Sequence, residues 1–287
     1  MILMKILTFN EFCQKTYGKK LYKLSLDGGF SCPNRKSRAE GGCAFCAGGS
    51  GFFSADSIEQ AKAQVANKYK GDEFIAYFQC YTNTYASAEE LRALYSPILE
   101  REDIFGLAIG TRPDCLPPET VALLGELSER KPLFIELGLQ TANDETAKAF
   151  HRGYDTACFF EAVRALKKHP NIHVVAHIMI GLPGEGKKEL LETVEAVNRA
   201  GVDGVKFHLL HILKGTEYER LYYEGKIHPL TMEEYGDLLI AGLKALKPET
   251  VVHRITGDGP KKLLVAPLWS GDKKRVLNYL MNFINNS

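Results

Sequence analysis

Residues 118–140, PETVALLGELSERKPLFIELGLQ, decide the fold. Val121, Leu124 and Leu127, with Leu123 beside them, recur at three- and four-residue intervals, which is the spacing of a helix with one apolar face, and Pro118 to Glu129 therefore reads as helix. Past Pro132 the period changes, and Leu133 to Gly138 is a short apolar run of strand length. The same helix-then-strand order recurs in Ala157 to Lys168 followed by Ile172 to Ile180. Working outward, Leu21 to Leu26, Glu73 to Phe78, Gly106 to Gly110 and Val202 to His208 read as strands, which makes six in all. Ser57 to Tyr69, Glu89 to Tyr95 and Glu189 to Ala200 read as the intervening helices. Strands alternating with helices imply a parallel sheet, and right-handed crossovers leave either an open doubly wound sheet or a full or partial barrel.

At the N-terminal end, Thr8 and Glu11 have capping-box spacing and predict a short helix through Tyr17 that closes one end of a barrel. Beyond the sixth strand, Thr231 to Leu246 and Val276 to Ile284 read as helices and Val251 to Ile255 as a possible strand. No Pro/Ser-rich hinge or solenoid repeat separates this tail, so residues 1–287 are expected to form one domain, with a core over about 20–215 and an extension over 216–287. With 45% hydrophobic and 25% charged residues the 287-residue chain excludes disordered, collagen-like and low-complexity classes. The opening MILMKILTFNEF lacks a signal-peptide pattern and no window suggests a membrane span, so the expected location is cytoplasmic with no membrane partner. In that reducing compartment the seven cysteines point to metal binding or catalysis and not to a disulfide scaffold.

The net charge of +1 hides an uneven distribution. Residues 1–70 carry 11 Lys and Arg against 5 Asp and Glu, residues 247–287 carry 7 against 3, and the middle is acidic. Two basic flanks offer a platform for a polyanion, whereas solvated lysine surface is the plainer reading, and the acidic middle suggests a barrel suited to a cationic amine.

The chemistry starts after the first strand, in LDGGFSCPNRKSRAEGGCAFCAGGSGFF, residues 26–53. Cys43 and Cys46 have CxxC spacing, Cys32 supplies a third thiol, and Gly28, Gly29, Gly41 and Gly42 let the backbone wrap a metal centre. Structural zinc takes four protein ligands, and no fourth Cys or His is near in sequence. A cluster held by three thiolates instead keeps one iron open to an exogenous ligand. A zinc site completed from afar, in a protein without enzymatic activity, and coincidental loop cysteines are the alternatives. Cys13, Cys80, Cys115 and Cys158 are scattered, so no second cluster is expected.

This loop resembles the cluster-binding loop of radical S-adenosylmethionine (SAM) enzymes. Ten residues separate Cys32 from Cys43, a departure from the common CxxxCxxC spacing that is similar to the branch containing the Elongator catalytic subunit and the bacterial YhcC/YtqA proteins. GGFSCPNR, GGCAFC, YFQCYTNTY, GTRPDCLP, ELGLQT, HIMIGLPGE, KFHLLHILKGT and VVHRITGDGP extend the resemblance from about residue 20 to 270. It implies an α/β fold, a partial (β/α)6 TIM-type barrel with an N-terminal helix and a C-terminal extension. It implies a [4Fe-4S] cluster on Cys32, Cys43 and Cys46, whose open iron chelates SAM and whose reduced form splits it into a 5′-deoxyadenosyl radical that abstracts hydrogen from substrate. An external donor such as flavodoxin or ferredoxin supplies the electron.

The family pattern places the remaining candidates at the strand ends. Gln79, Thr82, Asn83 and Thr84 fall where relatives hold the SAM amino group, although a GGE motif is absent. Thr111, Arg112 and Asp114 form a polar turn in which Arg112 pairs with the SAM carboxylate, with an anionic substrate, or structurally with Asp114. Glu136 and Gln140 match positions that point at the SAM ribose, and the alternative for Glu136 is pairing with a barrel cation. Gly181 and Gly184 permit a turn beside the adenine, with Ile180 in apolar contact. His177, His208 and His211 in apolar runs read as core residues or substrate contacts, and Lys214, His253, Arg254 and Asp258 are weaker substrate candidates. Of the aromatics Tyr77, Phe78, Tyr81 and Tyr85, Tyr81 or Tyr85 offers a stacking surface for a base. The implied substrate is a modified nucleoside, the side chain of a tRNA wobble uridine as in the MnmL type that works on carboxymethylaminomethyl groups. The alternative is a radical lyase on a free small molecule or deazapurine base, as in queuine lyase.

Overall fold

The computed structural model describes residues 6–47, 54–69, 71–257 and 259–285. Among them the strands are β1 (Tyr22–Leu26), β2 (Phe74–Phe78), β3 (Ile104–Thr111), β4 (Leu133–Gln140), β5 (Ile172–Ile180), β6 (Gly204–Leu209), β7 (Ile212–Leu213), β8 (Val251–Arg254) and β9 (Leu264–Ala266). The α-helices are α1 (Phe9–Tyr17), α2 (Ile58–Val65), α3 (Ala88–Glu100), α4 (Pro118–Ser128), α5 (Asp144–Ala149), α6 (Thr156–Leu166), α7 (Lys187–Ala200), α8 (Glu217–Tyr223), α9 (Met232–Ala245) and α10 (Lys273–Asn285). Asp258 and the 48–53 end of the cysteine loop lie outside the described residues.

Seven strands form one parallel sheet in the order β1-β2-β3-β4-β5-β6-β8. The sheet curls into a half-barrel: Lys23 on the first strand and Lys206 on the sixth both bond Glu136 on the fourth, which a flat sheet would forbid. The expected six strands are therefore joined by a seventh, since the segment read as a possible strand at Val251 continues the sheet beside β6. The outer edge of β8 is covered in turn, because Val252 N donates to Leu7 O at 2.7 Å and Thr8 bridges Val252.

Helix α1 begins where its capping box predicts, with Thr8 and Glu11 bonding reciprocally, and stops at Gly18 with φ 71°. Phe9 packs on Phe134 and His253, and Phe12 on His173, at the starts of their strands, so α1 plugs the N-terminal end of the barrel. Helix α3 runs past Tyr95 and through Pro97, where burial of Leu99 outweighs the break that the proline favours. Helices α5 and α8, of six and seven residues, and the β7-β9 ribbon are too short to show a period and went unread in the sequence.

One face of the sheet packs leucine, isoleucine, valine and phenylalanine against the helices in the main core. The other face fills the half-barrel in layers. Its lowest layer is aromatic and apolar, with Ile75, Phe134 and Ala108 over Phe9 and Phe12. Above it lies a charged layer of Lys23, Tyr77, Glu136 and Lys206, and above that a cavity opens at the C-terminal ends of the strands. No helix among the described residues is long and apolar enough to cross a membrane.

Candidate active site

The cavity has a volume of about 330 Å³ and is lined by Cys32, Cys43 and Cys46 on one side and by strand-end residues on the other. The loop carrying the thiols leaves β1 and returns to it, with Asp27 N donating to Ala55 O at 3.0 Å and Ala55 N to Ser25 O at 2.9 Å. Within it, Gly42 N donates to Asn34 O and Cys46 N to Cys43 O, folding the CxxC segment into a tight turn. Gly42, at φ 115°, is the position where glycine is required: a Cβ there would sit 2.9 Å from Arg35 Nη2. Ala44 is tied on both sides, its N donating to Phe150 O and its O accepting from Tyr218 N, so α8 and the segment after α5 brace the turn.

Each thiol has its own nitrogen donor. Arg112 Nη1 lies 3.6 Å from Cys32 Sγ, Asn34 Nδ2 lies 3.3 Å from Cys43 Sγ, and Arg35 Nη2 lies 3.2 Å from Cys46 Sγ. Burial pushes the Cys43 thiol up to about 11, against the lowering effect of the Asn34 hydrogen bond. Among the described residues no three His, Cys, Asp or Glu side chains close around a single ion, the arrangement a structural zinc needs. Three half-buried thiols facing one cavity, each with a donor, suit a cluster that takes each thiolate on a different iron.

The strand side is a buried polar network. Glu136 is fully buried; Oε1 accepts from Lys23 Nζ at 2.7 Å, and Oε2 accepts from Lys206 Nζ and lies 3.1 Å from His177 Nε2. Burial raises the Glu136 carboxyl, but Lys206 and Lys23 outweigh it and hold the group well below the usual carboxylate range. Burial depresses Lys206 despite its acid partner, and His177 and His208 are likewise lowered by burial, so both imidazoles are neutral at pH 7. Their rings lie 4.9 Å apart, and His208 Nε2 is buried in the cavity wall without a hydrogen-bond partner among the described residues.

Several sequence expectations change here. Both Glu136 oxygens are engaged by barrel cations, as the pairing alternative expects, and the residue also lines the cavity. Gln140 lines the cavity, but not through the two-residue period: the β4-β5 register shifts between Gly138 and Gln140, and Gln140 is left-handed at φ 61°. Asn83 is buried outside the cavity lining, its amide nitrogen donating to the carbonyls of Phe78, Cys80 and Gly110, so it shapes the β2 turn. Thr84 likewise bonds Thr111 and Cys115 O. Arg112 commits Nε and Nη2 to Asp114 at 2.8 and 2.7 Å and stacks on Tyr154.

Ile180 and Gly181 are set back from the lining, where Ile178 and Met179 stand instead. His253 lies at the plugged end against Phe9, Tyr85 is 51% exposed, and Lys214 is exposed; none of the three lines the cavity. Gln79, Tyr81, Thr82, His177, His208, His211 and Arg254 do line it. The barrel is also not acidic within. Among the described residues Arg35, Arg112, Arg152 and Arg254 line the cavity against the single acid Glu136.

Asn34, Arg35, Arg152 and Lys206 went unremarked in the sequence. Arg152, 1% exposed, donates to Leu139 O, Thr141 O and Tyr154 O and pairs with Asp144, fixing the segment that backs the thiols. A lysine inside the apolar run GVKFHL was the one available signal for Lys206.

Residues 32–197 match the profile of the radical SAM superfamily, and residues 202–285 match that of the radical SAM C-terminal domain. YtqA of Bacillus subtilis is 43% identical over 288 residues, covering 97% of this chain and 89% of YtqA. A tRNA uridine(34) acetyltransferase of Dehalococcoides mccartyi is 30% identical over 167 residues, 57% of this chain and 35% of that protein. Among solved structures, Elp3 of Methanocaldococcus infernus superposes with a TM-score of 0.65 at 20% identity, covering 78% of this chain and 57% of that one, which is a likeness of fold.

Proposed function

The chain belongs to the radical SAM superfamily and, within it, to the YtqA/YhcC family, and from that premise we propose that it acts on the modified side chain of a tRNA wobble uridine. It is a radical SAM enzyme, and its cofactors are a [4Fe-4S] cluster and SAM; family membership displaces the reading as a zinc protein without activity. In our assignment Cys32, Cys43 and Cys46 hold the cluster. When bound there, the cluster would supply one electron for reductive cleavage of SAM, giving methionine and a 5′-deoxyadenosyl radical that would take a hydrogen atom from substrate.

The chain's own residues do the rest. The thiols sit on a loop braced by Arg152 and α8, so the cluster position is fixed by the barrel and not by the loop alone. The aromatic plug beneath the charged layer closes the other end of the half-barrel to water. Gln79, Thr82 and Gln140 stand at the strand ends as SAM contacts, and Tyr81, the neutral His177 and His208, and His211 face the same space as groups for a nucleobase.

The observation that carries the substrate reading is Arg254. It ends β8 in the cavity wall, and among the described residues it has no hydrogen-bond or ion-pair partner, while the interior around Glu136 already holds Lys23 and Lys206. A lone guanidinium beside a net positive layer suits an anionic group, such as the carboxylate of a carboxymethylaminomethyl side chain. The name of the relative that acts on tRNA uridine 34 supports the same class. A flavodoxin- or ferredoxin-type donor completes the proposed set.

The test is anaerobic turnover with SAM, dithionite and bulk tRNA, followed by nucleoside mass spectrometry and a salt titration of tRNA binding. A changed wobble uridine and steep weakening with salt are expected. An unchanged nucleoside profile with salt-insensitive binding, or turnover of a free deazapurine base, refutes it.

A further inference from the structure

The cysteines went into the reaction scheme, but the nitrogen atoms pointed at them did not. We propose that Asn34, Arg35 and Arg112 supply one hydrogen-bond donor to each thiolate of the cluster and together raise its reduction potential. The inference rests on the assignment of Cys32, Cys43 and Cys46 as the ligands.

The geometry pairs donors and sulfurs one to one: Arg112 with Cys32, Asn34 with Cys43, Arg35 with Cys46, at 3.6, 3.3 and 3.2 Å. None of the three swings freely. Asn34 Nδ2 is also held by His151 O at 2.5 Å and Arg152 O at 3.1 Å. Arg35 Nη2 also meets Cys46 O at 3.1 Å, its Nη1 meets Arg38 O at 3.3 Å, and its guanidinium lies 5.4 Å from the Tyr81 ring centroid. Arg112 is clamped by both oxygens of Asp114, which occupy Nε and Nη2 and leave Nη1 as the atom that reaches sulfur. Asp114 offsets much of the guanidinium charge without removing that N–H.

The backbone is shaped to the same end. A Cβ on Gly153, at φ 86°, would lie 2.9 Å from Asn34 Oδ1 and 3.2 Å from Arg112 Nη2, so only a bare backbone lets both side chains settle there. A structural ion pair between Arg112 and Asp114 alone would not require Asn34 and Arg35 to turn to sulfur as well.

Reduction adds negative charge that is shared with the thiolate sulfurs. A donor fixed near each sulfur stabilises the reduced state more than the oxidised one, and the midpoint rises. The consequence is a cluster within reach of a milder electron donor than bare thiolate ligation would permit.

Full-length protein carrying Arg112→Leu, Arg112→Lys or Asn34→Ala is reconstituted anaerobically, assayed for iron, and titrated by EPR-monitored reduction. Each variant is expected to keep about four irons per chain, as a single [4Fe-4S] cluster requires. In Arg112→Leu the ratio of reduced to oxidised cluster at the wild-type midpoint is expected to fall about tenfold, a shift of about 59 mV for one electron. Asn34→Ala shifts less, Arg112→Lys recovers part of the loss, and the g values of the reduced state move with each. A wild-type midpoint in both Arg112→Leu and Asn34→Ala with iron intact overturns the inference. So does loss of iron from all three folded variants, which would make the donors builders of the site. If wild-type protein itself binds no iron, the ligand assignment falls first and the inference with it.

Discussion

The two walls of the cavity are built on opposite terms. On the strand wall the charges around Glu136 answer one another inside the protein: Glu136 faces Lys23, Lys206 and His177 at full burial, and Tyr77 accepts from Lys206 as well. On the loop wall the thiols are half buried and each meets one nitrogen donor in a segment without helix or strand. A low-dielectric interior tolerates ions only in closed sets. The strand wall therefore holds the barrel together, and the loop wall is free to hold something else. Substitutions on the two walls should separate accordingly, activity being lost on one and stability on the other.

The largest effect belongs to the loop. Cys43→Ala should remove the iron and abolish 5′-deoxyadenosine formation, while the unfolding free energy of the apoprotein falls by only about 1 kcal/mol, as for an ordinary partly buried side chain packed at the edge of a cluster. Iron analysis, product chromatography and urea denaturation read all three. A large stability loss in that variant would erase the contrast between the walls.

Glu136→Leu reverses the pattern. It leaves Lys23 and Lys206 buried without a counter-charge and should cost about 3–5 kcal/mol in urea unfolding. Replacing Glu136, Lys23 and Lys206 together by apolar residues should recover much of that, since a well-packed apolar set often matches a buried ionic one. A single variant as stable as wild type would show that the network is not what holds the layers.

How much of each wall the sequence revealed follows from the range of the interactions. The thiols were legible because CxxC, a third cysteine and a glycine-rich loop lie within 19 residues, Gly28 to Cys46. The barrel is legible because its helices and strands are local periods, whereas the seventh strand at Val251 reads only as a possible strand because four residues carry too little pattern. The partners of Glu136 are not legible in the sequence because they lie 113 and 70 residues away, on strands that meet it only after the sheet curls. Gln140 was placed by counting in twos across a bulge that the sequence does not announce. His253 and Arg254 are neighbours in one motif, yet only Arg254 lines the cavity while His253 packs on the plug. The acidic count of the middle segment misled for a related reason, since net charge says nothing about which face of the sheet carries it.

Arg254 sharpens the comparison from the strand side, as a charge without a partner among the described residues. Arg254→Ala should raise KM for the anionic substrate by about 10- to 100-fold, the range for losing a hydrogen bond to a charged group, with urea stability and iron content unchanged. Steady-state kinetics checks it. A stability loss in place of the KM change would move Arg254 into the closed network.

The smallest effect is a pH dependence that the strand wall shows and the loop wall does not. His177, His208 and His253 are all lowered from the ordinary imidazole value by burial. Their unfolded forms titrate near 6.5, so below that pH the unfolded chain binds more protons than the folded one, and stability falls as pH drops toward the folded values. Each such imidazole contributes at most about 1.4 kcal/mol per pH unit. Glu136 is also lowered, but its contribution is lost only as pH falls below the ordinary glutamate value near 4.3. Urea midpoints between about pH 7 and 5 thus read the buried histidines, with the raised Glu185 carboxyl acting in the opposite sense and cancelling between wild type and a histidine variant. His208→Gln keeps a neutral polar group in place and should flatten the slope in that window, while Cys43→Ala should leave it as in wild type. An unchanged slope in His208→Gln would mean that His208 is not held neutral by the fold, and its ring would then carry charge into the cavity.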